Sequence, residues 1–433
     1  MVQVHRRSST VAYNSDTTSL NVQHSTMSPV LPFDIITVII DIIGEGKDID
    51  LLKELALVSH SFLHICREHL FATVELYSSS YLDESPKKAF VKLLESRLDV
   101  VKYIRKLTYR VNCTLLTYDD YDRLLSATLL NSFLRFSRLN CLAINASNMD
   151  WNALDSSLTS VLIHLMHLPT INHIDLSYIQ NFPLFNLTLS VNLHRLDIFY
   201  LKLHNPLEGD SLEIIVGMIP KIREFHTSGS FQLTTKLLHA KRRDRQPAFD
   251  FTDLRRFSIR MSFNRFEDER NTIRYLLQNA KLLEELHLSV VHGTSLEGLL
   301  YPSARSLKVL DLTVSLHDKV NSVILGGICE ELEALVGHNM LETLSLKVHV
   351  FFARADVFVG STIQKVENVL VKPGWPMLRR VSLEVSIARS GAAQELCERL
   401  QSLPDKFLGH LSNLDSVAFD CSVYIARRQI HIQ

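Results

Sequence analysis

One six-residue pattern returns along this chain and limits what it can fold into. Apolar-x-x-apolar-x-apolar begins at Ile104, Leu139, Ile171, Leu193, Ile222, Leu254, Leu283, Leu307, Leu341, Leu378 and Leu414, eleven copies at intervals of 22 to 37 residues, with Thr227 in the last apolar slot of the Ile222 copy. Alternation at the fourth and sixth places is the period of a strand with one buried face. Each copy therefore predicts a strand that turns its first, fourth and sixth residues inward. Helical periodicity fills many intervals, over 155–168, 210–219, 269–280, 319–335, 362–371 and 394–408. Pro169, Pro220 and Pro376 halt the chain just before a strand, where a helix has to end. A strand-and-helix unit with one apolar face on each part cannot cover that face alone; stacking such units does. The expected fold class is α/β, a curved solenoid with parallel strands on its concave face and helices on its convex face. A plain α/β sheet built from βαβ crossovers is the rival, and a reversal of strand order would mark it.

Strand and helix in this alternation resemble the leucine-rich repeat. That family places Asn at the ninth position of each copy to satisfy backbone groups at the turn. Here the slot holds Asn112, Ser147, Ser230, Ser262, Ser315, Ser386 and Ser422, and a hydroxyl does the same work more weakly. Ile179, Leu201, Val291 and His349 fill the other four slots, so irregular turns are expected there.

On the concave side the fifth and seventh positions should be exposed. The fifth row runs Thr108, Ala143, Asp175, Asp197, His226, Ser258, His287, Asp311, Ser345, Ser382, Ala418. The seventh runs Arg110, Asn145, Ser177, Phe199, Ser228, Arg260, Ser289, Thr313, Lys347, Glu384, Asp420. A mixed polar surface with an occasional aromatic suits recognition of another protein. Asp175, Asp197, Phe199, His226, Arg260, His287 and Asp311 are the candidate target-binding residues.

Residues 31–70 obey different rules. Between Phe33 and Ile43 only Asp34, Thr37 and Asp41 are polar, and they share one narrow stripe. An ordinary surface helix needs an apolar arc of a little over ~100°; this one covers more than half the circumference. Pro32 suits the first turn of such a helix. Asp50 and Ser59 are candidate caps for two further helices, over 51–57 and over the stretch carrying Phe62, Leu63, Cys66 and Leu70. Forty residues are too few to enclose that much apolar surface, so a second protein is the expected cover.

The order Leu31-Pro32, an Ile-rich helix, an acidic Gly-containing break, Leu51-Leu52, then Leu57-Val58-Ser59 and an aromatic resembles the F-box. It is most similar to the F-box-like variant of fungal proteins, which continues into His-Leu-Phe as His69-Leu70-Phe71 does here. Phe62 stands where that family often has Trp. The resemblance implies three helices that dock onto the Skp adaptor of a cullin-based ubiquitin ligase. The implied contacts are Leu31, Pro32, Ile36, Ile39, Ile40, Ile43, Leu52, Leu55, Val58 and Phe62. The expected organisation is a disordered leader over 1–28, an F-box over 29–71 and the solenoid over 72–433.

Composition removes several other functions. A net charge of −1 supplies no field that would draw the chain to nucleic acid or a membrane. Six separated cysteines without a C-x-x-C pair read as reduced thiols, which favours the cytoplasm or nucleus, and leaves the sequons at Asn112, Asn145 and Asn186 as chance matches. No apolar run reaches the ~18 residues that span a bilayer. His60 and His64 share a predicted helix face, but Cys66 points elsewhere, so no tetrahedral metal set is expected. Gly44-Glu45-Gly46-Lys47 lacks the Gly and hydroxyl that a phosphate loop requires. Lys241-Arg242-Arg243-Asp244-Arg245 reads as a solvated loop rather than an address. No cofactor and no catalysis are expected. The expected function is the substrate-recognition subunit of a Skp/cullin/F-box ligase, with a repeat scaffold outside any ligase as the alternative. A hydrolase would need a deep pocket with perturbed titratable groups.

Overall fold

The computed structural model describes residues 32–78, 86–111, 125, 127–129, 135–202, 218–242, 244–261, 266–291, 296, 298–316, 322–351, 364–388, 393–401 and 417–425. Leu31, the leader, Asn112 and Ser262 lie outside them, as does most of 210–219 and the span from 402 to 408. The chain divides into two compact units, Met1–Cys66 and Arg67–Gln433.

The first unit contains α1 (Phe33–Glu45), α2 (Ile49–Val58) and the start of α3 (His60–Leu70). Pro32 stands at the N-cap of α1, its φ of −56° preset for the turn that follows. The α2 cap is Asp48, not Asp50. Asp48 Oδ1 accepts from the Leu51 N–H at 3.1 Å, because the helix starts at Ile49 and the accepting side chain has to lie three residues before its donor. Asp50 instead lies inside the first turn and pairs with Lys53 at 3.0 Å on the surface. Ser59 Oγ accepts from the Phe62 N–H at 3.2 Å, as its position before α3 required.

The second unit is one sheet of twelve strands among the described residues, and every pairing is parallel. They are β1 (Thr73–Ser78), β2 (Lys106–Val111), β3 (Cys141–Asp150), β4 (His173–Gln180), β5 (Arg195–Phe199) and β6 (Glu224–Ser228). Then come β7 (Arg256–Arg260), β8 (Glu285–Val291), β9 (Val309–Leu316), β10 (Thr343–Val350), β11 (Arg380–Ile387) and β12 (Ala418–Ile425). Their spatial order equals their order in sequence, with no reversal, as a solenoid-like arrangement requires and a doubly wound sheet does not.

Each of the first ten copies contains a strand, and the ladder holds those ten in phase. Leu107, Leu142, Ile174, Leu196, Phe225, Phe257, Leu286, Leu310, Leu344 and Val381, the fourth residues of successive copies, stand side by side. The row continues at both ends in ways the eleven-copy reading does not contain. Val74 pairs with Leu107, so Phe71-x-x-Val74-x-Leu76 is a further copy at the start of the sheet. At the other end Val381 pairs with Phe419 rather than Val417, so the last copy is displaced by two residues. The alternation through 417–425 admits both phases without changing which face is apolar, and only the neighbouring strand selects one.

Between strands lie α4 (Pro86–Ser96), α5 (Ser156–Met166), α6 (Phe185–Thr188), α7 (Phe231–His239), α8 (Phe266–Asn279), α9 (Ser322–Leu335) and α10 (Ala393–Gln401), and a helix over 364–370. Asp155 caps α5, its Oδ1 accepting from the Ser157 and Leu158 N–H groups at 2.9 and 3.3 Å. The shortest interval, between β4 and β5, holds only the single turn of α6, because too few residues remain for more. One apolar core runs unbroken beneath the strands, from Leu76 to Leu400, joined by residues such as Leu165, Leu286 and Leu310 that are fully buried. Within the basic cluster, Lys241 forms an antiparallel bridge with Pro247 and Arg242 is buried, so this segment is a folded turn, not a free loop. Arg243 is outside the described residues. Among the described residues no helix is long and apolar enough to cross a membrane.

Candidate functional site

On the polar face of the sheet the fifth and seventh rows stand together as expected, but they are less exposed than expected. Thr108, Ala143, Asp197 and Ser228 are buried and most of the others half-buried, because neighbouring side chains in the row cover one another. A third row lies beside them. Side chains alternate along a strand, so the third residue of each copy shares a face with the fifth and seventh. That row reads Lys106, Cys141, His173, Arg195, Glu224, Arg256, Glu285 before Val309 interrupts it. Counting only from the fifth position missed it, although its parity with the other two rows was in the sequence.

The third and fifth rows combine into a chain of contacts that crosses six strands, β3 to β8. Cys141 Sγ lies 3.2 Å from His173 Nδ1, and His173 Nε2 lies 2.9 Å from Asp197 Oδ2. Arg195 Nη2 donates to the same oxygen at 3.0 Å and its Nη1 reaches Glu224 at 3.4 Å. Arg256 then bridges Glu224 at 3.3 Å and Glu285 at 3.1 Å. Burial opposes charge on His173, yet the hydrogen bonds to Asp197 and Cys141 outweigh it and raise its pKa to about 9. Burial likewise opposes ionisation of Asp197, but His173 and Arg195 hold its carboxyl below the usual range. Asp175, accepting from Ser177 Oγ at 3.2 Å, goes the other way: burial, then the nearby Asp197 charge, raise it. His226 Nε2 stands 3.9 Å from Asp197 Oδ1, and burial pushes this imidazole down.

A second cluster forms around Asp311. Its Oδ2 accepts from Lys347 Nζ at 3.0 Å and meets His287 Nδ1 at 3.3 Å. Burial would raise this carboxyl, and these two partners lower it. The cluster closes one side of a cavity of about 430 Å³ that also includes Phe199, Arg260 and the rings of Tyr178 and Tyr200. Those rings stack with centroids 4.8 Å apart. Their backbones explain the platform. Tyr178, Tyr200 and Gly229 occupy the eighth place of three adjacent copies, and all are left-handed, with φ of 57°, 52° and 62°. The irregular turns expected at Ile179 and Leu201 are these turns. Val291 and His349, where irregular turns were also expected, instead lie within β8 and β10 and pair in register, because those strands run longer than the repeat's core. Leu201 donates its N–H to Ser230 Oγ at 2.8 Å, so the neighbouring copy's hydroxyl supplies what the slot itself lacks.

The structure thus sorts the seven target-face candidates into two groups. Asp175, Asp197 and His226 belong to the charged chain, while Phe199, Arg260, His287 and Asp311 border the aromatic cavity. Thr108 Oγ1, Asn145 Oδ1, His226 Nε2 and Asp311 Oδ1 are buried on this face without a hydrogen-bond partner among the described residues. Both groups can recognise polar or charged ligands, and the platform adds stacking.

On α1 the isoleucines divide into two stripes. Ile36, Ile40 and Ile43 follow i, i+4, i+7 and turn inward, with Ile40 only 1% exposed. Ile35, Val38, Ile39 and Ile42 follow i, i+3, i+4, i+7 and face outward, 44 to 63% exposed. Leu57 and Val58 add to the uncovered surface at the end of α2. Two of the ten implied contacts are therefore corrected: Ile40 and Leu52 are core residues, shut away from any visitor. Pro32, Ile39 and Val58 are exposed, while Ile36, Ile43, Leu55 and Phe62 are half-buried. Phe33, Ile35, Val38 and Ile42, not among the implied contacts, carry more open surface than most that were.

No protein-family model matches the chain, and no curated protein matches it. Among the described residues no group of three His, Cys, Asp or Glu side chains is placed to hold a metal ion; His60 and His64 are exposed whereas Cys66 is buried.

Proposed function

We propose that this chain is a substrate-recognition subunit of a Skp/cullin/F-box ubiquitin ligase, its N-terminal helices an F-box and its leucine-rich-repeat-like sheet the surface that grips a protein target. The observation that carries the reading is the outward stripe of Ile35, Val38, Ile39 and Ile42. A small helical unit that presents a second apolar stripe at helical spacing has the form of half an interface, and removing such side chains from water is worth ~1.5–3 kcal/mol each. The mixed charged and aromatic face of the sheet supports the target-binding half. Such a subunit does no chemistry. It raises the effective concentration of the target's lysines around a ubiquitin-charged enzyme on the same assembly.

The test is co-purification of the full chain with a recombinant Skp adaptor and cullin. Val38→Glu with Ile42→Glu should abolish capture of the adaptor while circular dichroism stays unchanged. Undiminished capture would defeat the proposal, and capture of the adaptor without cullin would mark a scaffold outside a ligase.

A further inference from the structure

We propose that Cys141 is a reactive cysteine, a site at which hydroperoxides oxidise this chain, with His173 as the group that stabilises its thiolate. The proposal is independent of the adaptor reading.

The geometry is that of a thiol activated by an oriented imidazole. His173 Nδ1 lies 3.2 Å from Cys141 Sγ, and its other nitrogen is 2.9 Å from Asp197 Oδ2. A doubly protonated ring would satisfy both acceptors at once, sulfur on one side and carboxylate on the other. Asp197 is itself fixed from a second direction, since Arg195 donates Nη2 and Nε to its oxygens at 3.0 and 3.2 Å. This is the nucleophile, base and orienting-acid order that thiol chemistry uses. Lys106 is the register partner of Cys141 on β2 just as His173 is on β4, so its side chain leaves the same face of the sheet. The charged and titratable groups around the thiol are thus Lys106 from β2, His173 and Asp175 from β4, and Arg195 and Asp197 from β5. The pKa of His173, raised to about 9, keeps that ring cationic at neutral pH.

The other described cysteines are in different surroundings. Burial pushes the thiols of Cys66 and Cys397 up, and those of Cys329 and Cys421 up as well, to about 11. A thiolate is the nucleophile, so these four are poor ones while Cys141 has a cationic partner. Cys141 keeps 6% of its surface open, which suits a small oxidant rather than a bulky one.

The step balances as follows. The thiolate attacks one peroxide oxygen, the S–O bond forms as the O–O bond breaks, and sulfur gives up two electrons to the peroxide. The departing hydroxide or alkoxide takes the His173 proton and leaves as water or alcohol. The product is a sulfenic acid, which a thiol reverses.

The full-length protein is treated with hydrogen peroxide and dimedone, and labelled peptides are quantified by mass spectrometry. Iodoacetamide alkylation at pH 7 is followed in parallel. Cys141 should label at least tenfold faster than Cys66, Cys329, Cys397 or Cys421. His173→Gln should slow labelling of Cys141 at pH 7 about tenfold while leaving the rates at the other four unchanged. Labelling of wild-type Cys141 no faster than at those four would overturn the proposal even if the His173→Gln protein does not fold.

Discussion

The ring of Tyr200 stands where a side chain on Gly229 would begin: a β-carbon built there would lie 2.4 Å from Tyr200 Cδ1. Gly229 also holds a φ of 62°, so this position excludes other residues twice, by backbone conformation and by a neighbour. Gly229→Ala should lower stability by about 2 kcal/mol or more. It should also break the Tyr178–Tyr200 stack. Denaturant unfolding measures the first and near-ultraviolet circular dichroism the second; a change under 0.5 kcal/mol would show that the Tyr200 ring moves aside freely.

Asp197 ties together His173 and Arg195, so its removal takes the counter-charge from both. Asp197→Asn should cost about 3–5 kcal/mol, the range for a buried ion pair that loses one partner. A value near zero in urea unfolding would mean the charged chain is solvated rather than structural.

The same pair makes stability depend on pH in two windows. His173 has its folded pKa raised from 6.5 to about 9, so its contribution is complete below 6.5 and disappears as pH rises through 9. Asp197 has its folded pKa lowered, so its contribution is complete above the ordinary value near ~3.9 and disappears as pH falls through the folded one. The Tm of the wild type should therefore fall at both ends of the range. In His173→Gln the alkaline decline should be weaker, which a Tm series from pH 6 to 10 would reveal.

Leu76 belongs to the sheet core as fully as Leu107 does, each being 1% exposed. Leu76→Ala and Leu107→Ala should both cost ~2–5 kcal/mol in equilibrium unfolding. A much smaller loss at Leu76 would remove β1 from the cooperative unit.

On α1 the two stripes should separate cleanly. Ile40→Ala removes a buried side chain and should cost ~2–5 kcal/mol, whereas Ile39→Ala should change stability by less than ~1 kcal/mol. Equal losses, read from thermal unfolding, would mean the outward stripe is covered within the chain.

Period two was legible for every copy from Ile104 to Leu378 because an apolar residue at the fourth and sixth places is a local property of one strand. The same alternation marks 71–77 as a short strand, and only the pairing of Val74 with Leu107 makes Phe71-Ala72-Thr73-Val74-Glu75-Leu76 a further copy of the repeat. Alternation alone did not decide the phase of the last copy, since a two-residue shift keeps every side chain on its face; Val381, from the adjacent strand, chose Phe419. The wide apolar arc of α1 was likewise visible in the residues, but its division into an inward stripe through Ile40 and an outward one through Ile39 depended on what lay against it. The meeting of Cys141, His173 and Asp197 was beyond any local pattern. Cys141 is 32 positions from His173 and His173 is 24 from Asp197, and parallel register alone brings each pair to hydrogen-bond distance. The sequence by itself determined the strands and their greasy side, because those follow from the covalent neighbours of each residue; that the strands stack in chain order was decided only by the sheet. The tertiary structure decided which polar groups touch, because that depends on partners the chain meets only after it has stacked.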